Sequence, residues 1–347
     1  MSAPVRTTGR VWRGSKHSVV IRPRVLTVTA ILAALTVAGA VYAMTLGTLP
    51  IPVADILATL TGGDGGRYER IIRDIRLPHV VTAVCAGAAL GVSGAVFQSV
   101  SRNALGSPDV IGFTTGAATG AIAQIVFFGA GPLQVALGAI LGGVATAVVV
   151  YLLSVKAGVT GGYRLVLTGI GVGEVLAALN GLMLVKGDLD NAIAADMWLA
   201  GSLESRKWMH AVPVLIGVLV IVPLIAVIAR HSTLMEMGDD IAGQLGVPVE
   251  RVRLSLIFGA VLLAALATGA AGPIVFIALA APQLVLRLTR STTLPVFSAA
   301  AMGAFLLVTA DVITRTLPIG ASVPIGRMTG IVGGLYLIWL LSRSKQV

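Results

Sequence analysis

RHSTLMEMGDDIAGQLGVPVERVR, residues 230–253, is a polar island between two long apolar runs. Its middle reads as a short helix, a break and a second short helix. Gly238 interrupts, the acidic pair Asp239 and Asp240 suits a helix N-terminus, and Gly246 followed by Pro248 stops the turn. Ile241 and Leu245 stand four apart and share one small apolar face. Held at a membrane surface, such a segment suits being gripped by another protein. An ordinary solvated loop between spans is the other reading of the same composition.

The flanking runs set the class. Of 347 residues, 56% are hydrophobic and 12% charged, more apolar sequence than a soluble core needs. The apolar segments are about 17–25 residues long, enough to cross about 30 Å of hydrocarbon. The chain is therefore expected to be an all-α polytopic membrane protein of one domain. Its 42 glycines suit close helix packing in lipid. The net charge of +10 gathers at span ends rather than in a patch, which points to membrane lipid and not to nucleic acid. Arg6, Arg10, Arg13, Lys16, Arg22 and Arg24 precede the first span, so the N-terminus is expected in the cytoplasm. Cys85, the single cysteine, has no partner for an internal disulfide.

Ten spans follow from the apolar pattern: 25–44, 80–100, 108–128, 133–155, 165–185, 209–228, 254–271, 274–286, 294–310 and 327–341. Residues 1–24 read as a structureless basic tail, 25–342 as the membrane domain and 343–347 as a second basic tail. An even number of spans puts both tails on the same, cytoplasmic side. The first run is long for a signal sequence and is read as a retained span. Short helices are expected within 51–60 and 191–199. Pro213 and Pro223 can kink the sixth span. The eighth is too short to cross alone and is expected as a half-helix buried in protein.

Four stretches, in order, resemble the permeases of type II ABC importers, the iron–siderophore and vitamin B12 family. They are RLPH (76–79) with GAALGVSGAVFQ (87–98), RNALGSPDVIGFTTGA (102–117), the polar island, and AGPIVFIALAAPQ (271–283) with Ala310–Asp311 and VPIGRMTG (323–330). WLAGSL (198–203) also fits. The resemblance covers about residues 70–342, and GSPDVIGF, EMGDD, VPVERVRL and GGLYLIWLL look most like the enterobactin-type subgroup. It implies a ten-span permease fold with inverted four-helix halves. It also implies that Met237, Gly238, Asp239, Asp240, Ile241, Ala242, Leu245 and Gly246, in coupling helices at about 234–246, meet a cytoplasmic ATPase. Arg76, His79 and Arg315 would sit on the outer rim, facing acidic residues of an extracytoplasmic binding protein. Asn103 and Leu105, with Gly161, Gly162 and Tyr163 in the turn after span four, would form the inner gate. Glu174, an isolated charge in span five, would face the pore; a carboxyl bonded to a neighbouring helix is its other reading. The chain departs from the family pattern at His79 (arginine in RLPR), Ala104 (proline in NPL) and Gln283 (histidine in PH).

No enzyme signature is present. The sequence has no GxxxxGK[ST] phosphate loop, so this chain does not bind ATP by that motif; the resemblance implies that ATP and Mg²⁺ sit on the partner ATPase, and no cofactor is expected on this chain. His17, His79, His210 and His231 are too scattered for a metal site, and Asp188, Asp190 and Asp196 do not have calcium-loop spacing. The implied function is a non-catalytic permease subunit for ferric siderophores in the bacterial cytoplasmic membrane. Its implied partners are a second permease (a paralogue or a second copy), two ATPase subunits and a binding protein. The alternatives are a cobalamin or haem permease of the same fold, or a carrier driven by an ion gradient. The polar island and the scarcity of paired intramembrane acids stand against the carrier.

Overall fold

The computed structural model describes residues 10–13, 18–63, 66–156, 159–160, 162–235, 237–291, 296–317 and 323–343. Two short strands, β1 (Arg10–Arg13) and β2 (Ser18–Ile21), pair antiparallel with Val11 opposite Val20. Part of the segment read as a structureless tail is thus a β pair, consistent with the strand preference of its valines and isoleucine. Helix α1 spans Pro23–Thr45, with proline in its first turn. Helix α2 (Val53–Leu60) follows, then one turn, α3 (Glu69–Ile71), and a π-helical segment (Ile72–Arg76) that runs into α4 (Leu77–Ser101).

The third expected span is not continuous. Pro108–Ile111 forms a 3₁₀ turn, Gly112 adopts φ +70°, and only then does α5 (Phe113–Phe128) begin. A left-handed residue is cheap for glycine and ends helical propagation, so the apolar pattern concealed the break. Helix α6 (Pro132–Ser154) leads to a two-residue strand pair, β3 (Val155–Lys156) with β4 (Val159–Thr160). Then come α7 (Gly162–Lys186), α8 (Leu189–Leu199), α9 (Trp208–Met235), α10 (Asp239–Gln244), α11 (Val249–Ala271), α12 (Val275–Thr289), α13 (Val296–Thr316) and α14 (Ile325–Arg343). The Asp188 carboxylate caps α8 by accepting from the Asn191 amide at 2.9 Å.

Seven helical stretches among the described residues are long and apolar enough to cross a membrane: α1, the α3–α4 run, α6, α7, α9, α11 and α13. Helices α5 and α12 are apolar but shorter, at 16 and 15 residues. With α14 they bring the membrane helices to about the number the sequence implies.

Helix α4 is the hub. It is apolar on every side, and 89% of the apolar window of its span is buried, which requires protein on all faces. Helices α13, α11, α9 and α12 surround it. Small residues let them close in. A Cβ on Gly87 would strike the Gly303 carbonyl, and one on Gly94 would strike the Ala278 carbonyl. The Ser93 hydroxyl donates to the Ala260 carbonyl across the α4–α11 contact at 2.8 Å. Outside this core, only 11% of the apolar windows of α1 and α7 is buried. Pro213 and Pro223 both lie inside α9.

Candidate functional site: the two ends of the bundle

Helices α4 and α9 run in the same direction and α11 returns, so the bundle has two polar ends. One carries α10. Met237 is followed by Gly238 at φ +117°, a conformation open to glycine, and α10 starts at Asp239. It closes with the Val247 amide donating to the Ala242 carbonyl and the Gly246 amide to the Gly243 carbonyl, both at 3.0 Å, with Gly246 at φ +83°. This double bond is a Schellman stop, and its two apolar residues, Ala242 and Val247, are buried. Met237, Ile241 and Leu245 are exposed, so the element turns an apolar face away from the bundle. Asp240 and Gly246 are also exposed.

Asp239 is bound on both carboxylate oxygens. Oδ1 accepts from Arg102 Nη2 at 2.7 Å and Oδ2 from Arg253 Nη2 at 2.6 Å. Arg102 also donates to the Met235 carbonyl at 2.8 Å, and Arg253 pairs with Glu250 at 2.8 Å. The Tyr151 hydroxyl of α6 reaches Glu250 at 3.4 Å. Beside this cluster lies the link after α4. There the Asn103 side chain accepts from the Leu105 amide at 2.9 Å, and Leu105 is exposed. The Gln283 amide of α12 donates to Gln98 Oε1 at 2.6 Å and to the Ala104 carbonyl at 3.3 Å; Gln98 donates to the Leu279 carbonyl at 3.0 Å. Gln283, which stands where the resembled pattern has histidine, thus joins Gln98 in a neutral amide pair and ties the link to α12. Gly161 lies outside the described residues. Gly162 and Tyr163 are not in a turn, as the sequence reading had them, but in the first turn of α7, because the β3–β4 pair shortens the connection. Tyr163 is exposed, and no hydrogen bond among the described residues joins it to Asn103 or Leu105.

At the opposite end, His79, Asp311 and Arg315 form a compact cluster. His79 Nε2 lies 3.0 Å from both Asp311 oxygens, and Arg315 Nε lies 3.1 Å from Oδ1. Arg315 Nη2 is 3.0 Å from His79 Nδ1 and also contacts Nε2. The tautomer with its proton on Nε2 donates to Asp311 and leaves Nδ1 to accept from Arg315. Only 6% of the Asp311 side chain is exposed, against 25% for Arg315. Arg76 is largely buried and donates to the Leu49 carbonyl at 3.1 Å. Of the three expected rim residues, Arg315 is thus the most accessible. All three line an open cavity of about 700 Å³, together with Glu204, Arg206 and Asp311. Burial lowers the pKa of the Arg206 guanidinium, which donates twice to the Ser202 carbonyl. Three guanidiniums against two carboxylates make this cavity attractive to acidic groups.

Glu174 stands between the ends, exposed on α7 beside Ile170, Val175 and Leu182, which are exposed as well. It makes no ion pair or side-chain hydrogen bond among the described residues, so the neighbouring-helix reading finds no partner among them. No group of three metal-ligating side chains occurs among the described residues.

Arg102, Arg253, Asp311 and Gln98 fall within the quoted stretches but were given no role from sequence. The four-residue spacing of Asp311 and Arg315 on one helix was a usable signal. The pairings of Asp239 with Arg102 and of Gln98 with Gln283 cross 137 and 185 residues and left none.

Residues 22–343 match the FecCD transport family. The chain is 39% identical over 327 residues to the ferric enterobactin transport system permease protein FepG of Escherichia coli (strain K12), covering 94% of this chain and 98% of that protein. It is 32% identical to the iron(3+)-hydroxamate import system permease protein FhuG of Bacillus subtilis (strain 168), covering 87% and 92%. A solved structure described as an inward-facing conformation of a metal-chelate type ABC transporter superposes with a TM-score of 0.80 at 26% identity, covering 92% of this chain and 99% of that one. The fold is that of an ABC importer permease, all-α and polytopic, and such a chain is a transport subunit rather than an enzyme. By the match across its whole membrane domain, the chain belongs to the FecCD transport family.

Proposed function

We propose that this chain forms half of the membrane path of an ATP-driven importer of ferric siderophores in the bacterial cytoplasmic membrane, with both termini in the cytoplasm. The observation that carries the reading is α10: an apolar face of Met237, Ile241 and Leu245 left exposed on a short helix whose Ala242 is anchored in the bundle. An apolar face on a polar island is covered when a partner docks, and in an importer that partner is the ATPase, which holds ATP and Mg²⁺. The names of the relatives, enterobactin and hydroxamate permeases, support a ferric siderophore as cargo. A second permease, a paralogue or a second copy, covers the exposed apolar faces of α7 and completes the path. Glu174 then faces that path, and the 103–105 link with Tyr163 closes its inner end. The cavity beside Arg315 receives acidic residues of the binding protein.

The deciding experiment is Leu245→Asp. A charge on the docking face must be buried unpaired or keep the ATPase away, at a cost of several kcal/mol. Co-purification of the ATPase and siderophore uptake should both be lost while membrane insertion persists; normal association and uptake in this variant would reject the reading. For Glu174, a Glu174→Cys variant in a Cys85→Ala background should react with a water-soluble thiol reagent in at least one nucleotide state. Absence of labelling in every state places it away from the path.

A further inference from the structure

Arg102 has an unusual backbone for its residue type. It ends α4 at φ +50°, ψ +34°, in the left-handed region that disfavours a side chain. Its amide donates to the Ser99 carbonyl and the Asn103 amide to the Gln98 carbonyl, the stop usually built on glycine. The strained conformation aims a guanidinium at two targets on other elements: the Met235 carbonyl, last of α9, and the Asp239 carboxylate, first of α10. Asp239 gives its second oxygen to Arg253 on α11, whose side chain is only 8% exposed and is itself fixed by Glu250. The flexible point between α9 and α10, at Gly238, is therefore bridged on both sides by charged hydrogen bonds.

We propose that Asp239, shared between Arg102 and Arg253, is a positioning residue that makes α10, the 102–105 link and the start of α11 one rigid unit. A displacement of α10 then passes directly to Asn103 and Leu105 instead of being absorbed by rotation about Gly238. The proposal rests on the reading of α10 as the ATPase contact for its purpose, though not for its geometry. At 39% exposure for Asp239 and 52% for Arg102 the bond adds little to fold stability, so its value lies in position. A docked ATPase would exclude water and strengthen it.

The test uses the full chain in lipid nanodiscs, with spin labels at Ala104→Cys and Gln244→Cys in a Cys85→Ala background. The parent should give a single narrow distance. Asp239→Asn and Arg102→Gly should each lose it, giving a broadened distribution, while Asp239→Glu keeps it narrow. Arg102→Gly relieves the backbone while deleting the side chain, so its melting temperature should hold or rise even as the distance broadens; a purely structural role predicts the opposite. A distribution that stays narrow in both variants overturns the proposal. Adding the ATPase with nucleotide then separates the two ideas. If the labels move together in the parent and only the α10 label moves in Asp239→Asn, the unit transmits the motion. If the ATPase does not associate at all, the reading of α10 fails while the rigid unit is judged by the first measurement alone.

Discussion

Each end of the bundle is organised around one aspartate, and the two are held in opposite ways. Asp311 sits sealed between His79 and Arg315, 6% exposed, beneath an open cavity. Asp239 sits at the surface, 39% exposed, shared by two arginines from different helices. A buried carboxylate has lost its water and depends on its partners; removing either side strands a charge. A surface carboxylate can return to water, so its bonds fix geometry without carrying the fold. The carboxylate at the cavity end is thus locked among its partners, and the one at the α10 end holds two arginines while it stays in reach of water.

Deleting Asp311 should break that contrast most. Asp311→Ala leaves the His79–Arg315 pair without its anion, and about 3–5 kcal/mol of stability should go, seen as a drop in melting temperature in detergent. A melting temperature within error of the parent would mean the cluster is hydrated and the ends do not differ. Next is the frame that holds the rim. Gly303→Val on α13 drives a side chain into the Gly87 backbone of α4 and should cost about 1–3 kcal/mol or more by forcing the helices apart. Rescue by Ala at 303 is not expected, since even a single Cβ meets that carbonyl.

Asp239→Ala should cost about 1 kcal/mol in the same melting assay, because the buried Arg253 that it leaves behind keeps Glu250 as a partner. A penalty as large as that of Asp311→Ala would show that the α10 end is also a structural rim. Arg315→Glu is expected to slow association with the binding protein, more at low salt than at high, because a partly exposed charge at the cavity mouth steers encounter over about one Debye length, ~10 Å at 0.1 M. Salt-independent rates would make Arg315 a partner of Asp311 and nothing more. The smallest effect belongs to Asp196, which pairs with Arg327 at 2.7 Å with both side chains more than half exposed. Asp196→Ala should leave melting within about 0.5 kcal/mol of the parent and serves as the surface reference.

The sequence by itself determined the membrane class, the number of helices to within the approximation of hydropathy, and the start and stop of α10. These are local properties. A span is a length of apolar chain against a fixed bilayer thickness, and a stop is a glycine able to take positive φ at Gly238 or Gly246. The break at Gly112 was missed because its left-handed turn lies inside an unbroken apolar pattern, and the first turn of α7 was misplaced because a strand pair shortened the connection before it. Tertiary structure alone decided which charges meet. His79 finds Asp311 across 232 residues, and Asp239 finds Arg102 across 137, only because α4 lies between α13 and α9. That placement comes from small residues such as Gly87, Gly94 and Gly303, whose close approach is a property of two helices at once. Burial followed from the same packing: the chain spells Asp311 and Asp239 with the same residue, and only the number of helices around each makes one a sealed anchor and the other a surface link.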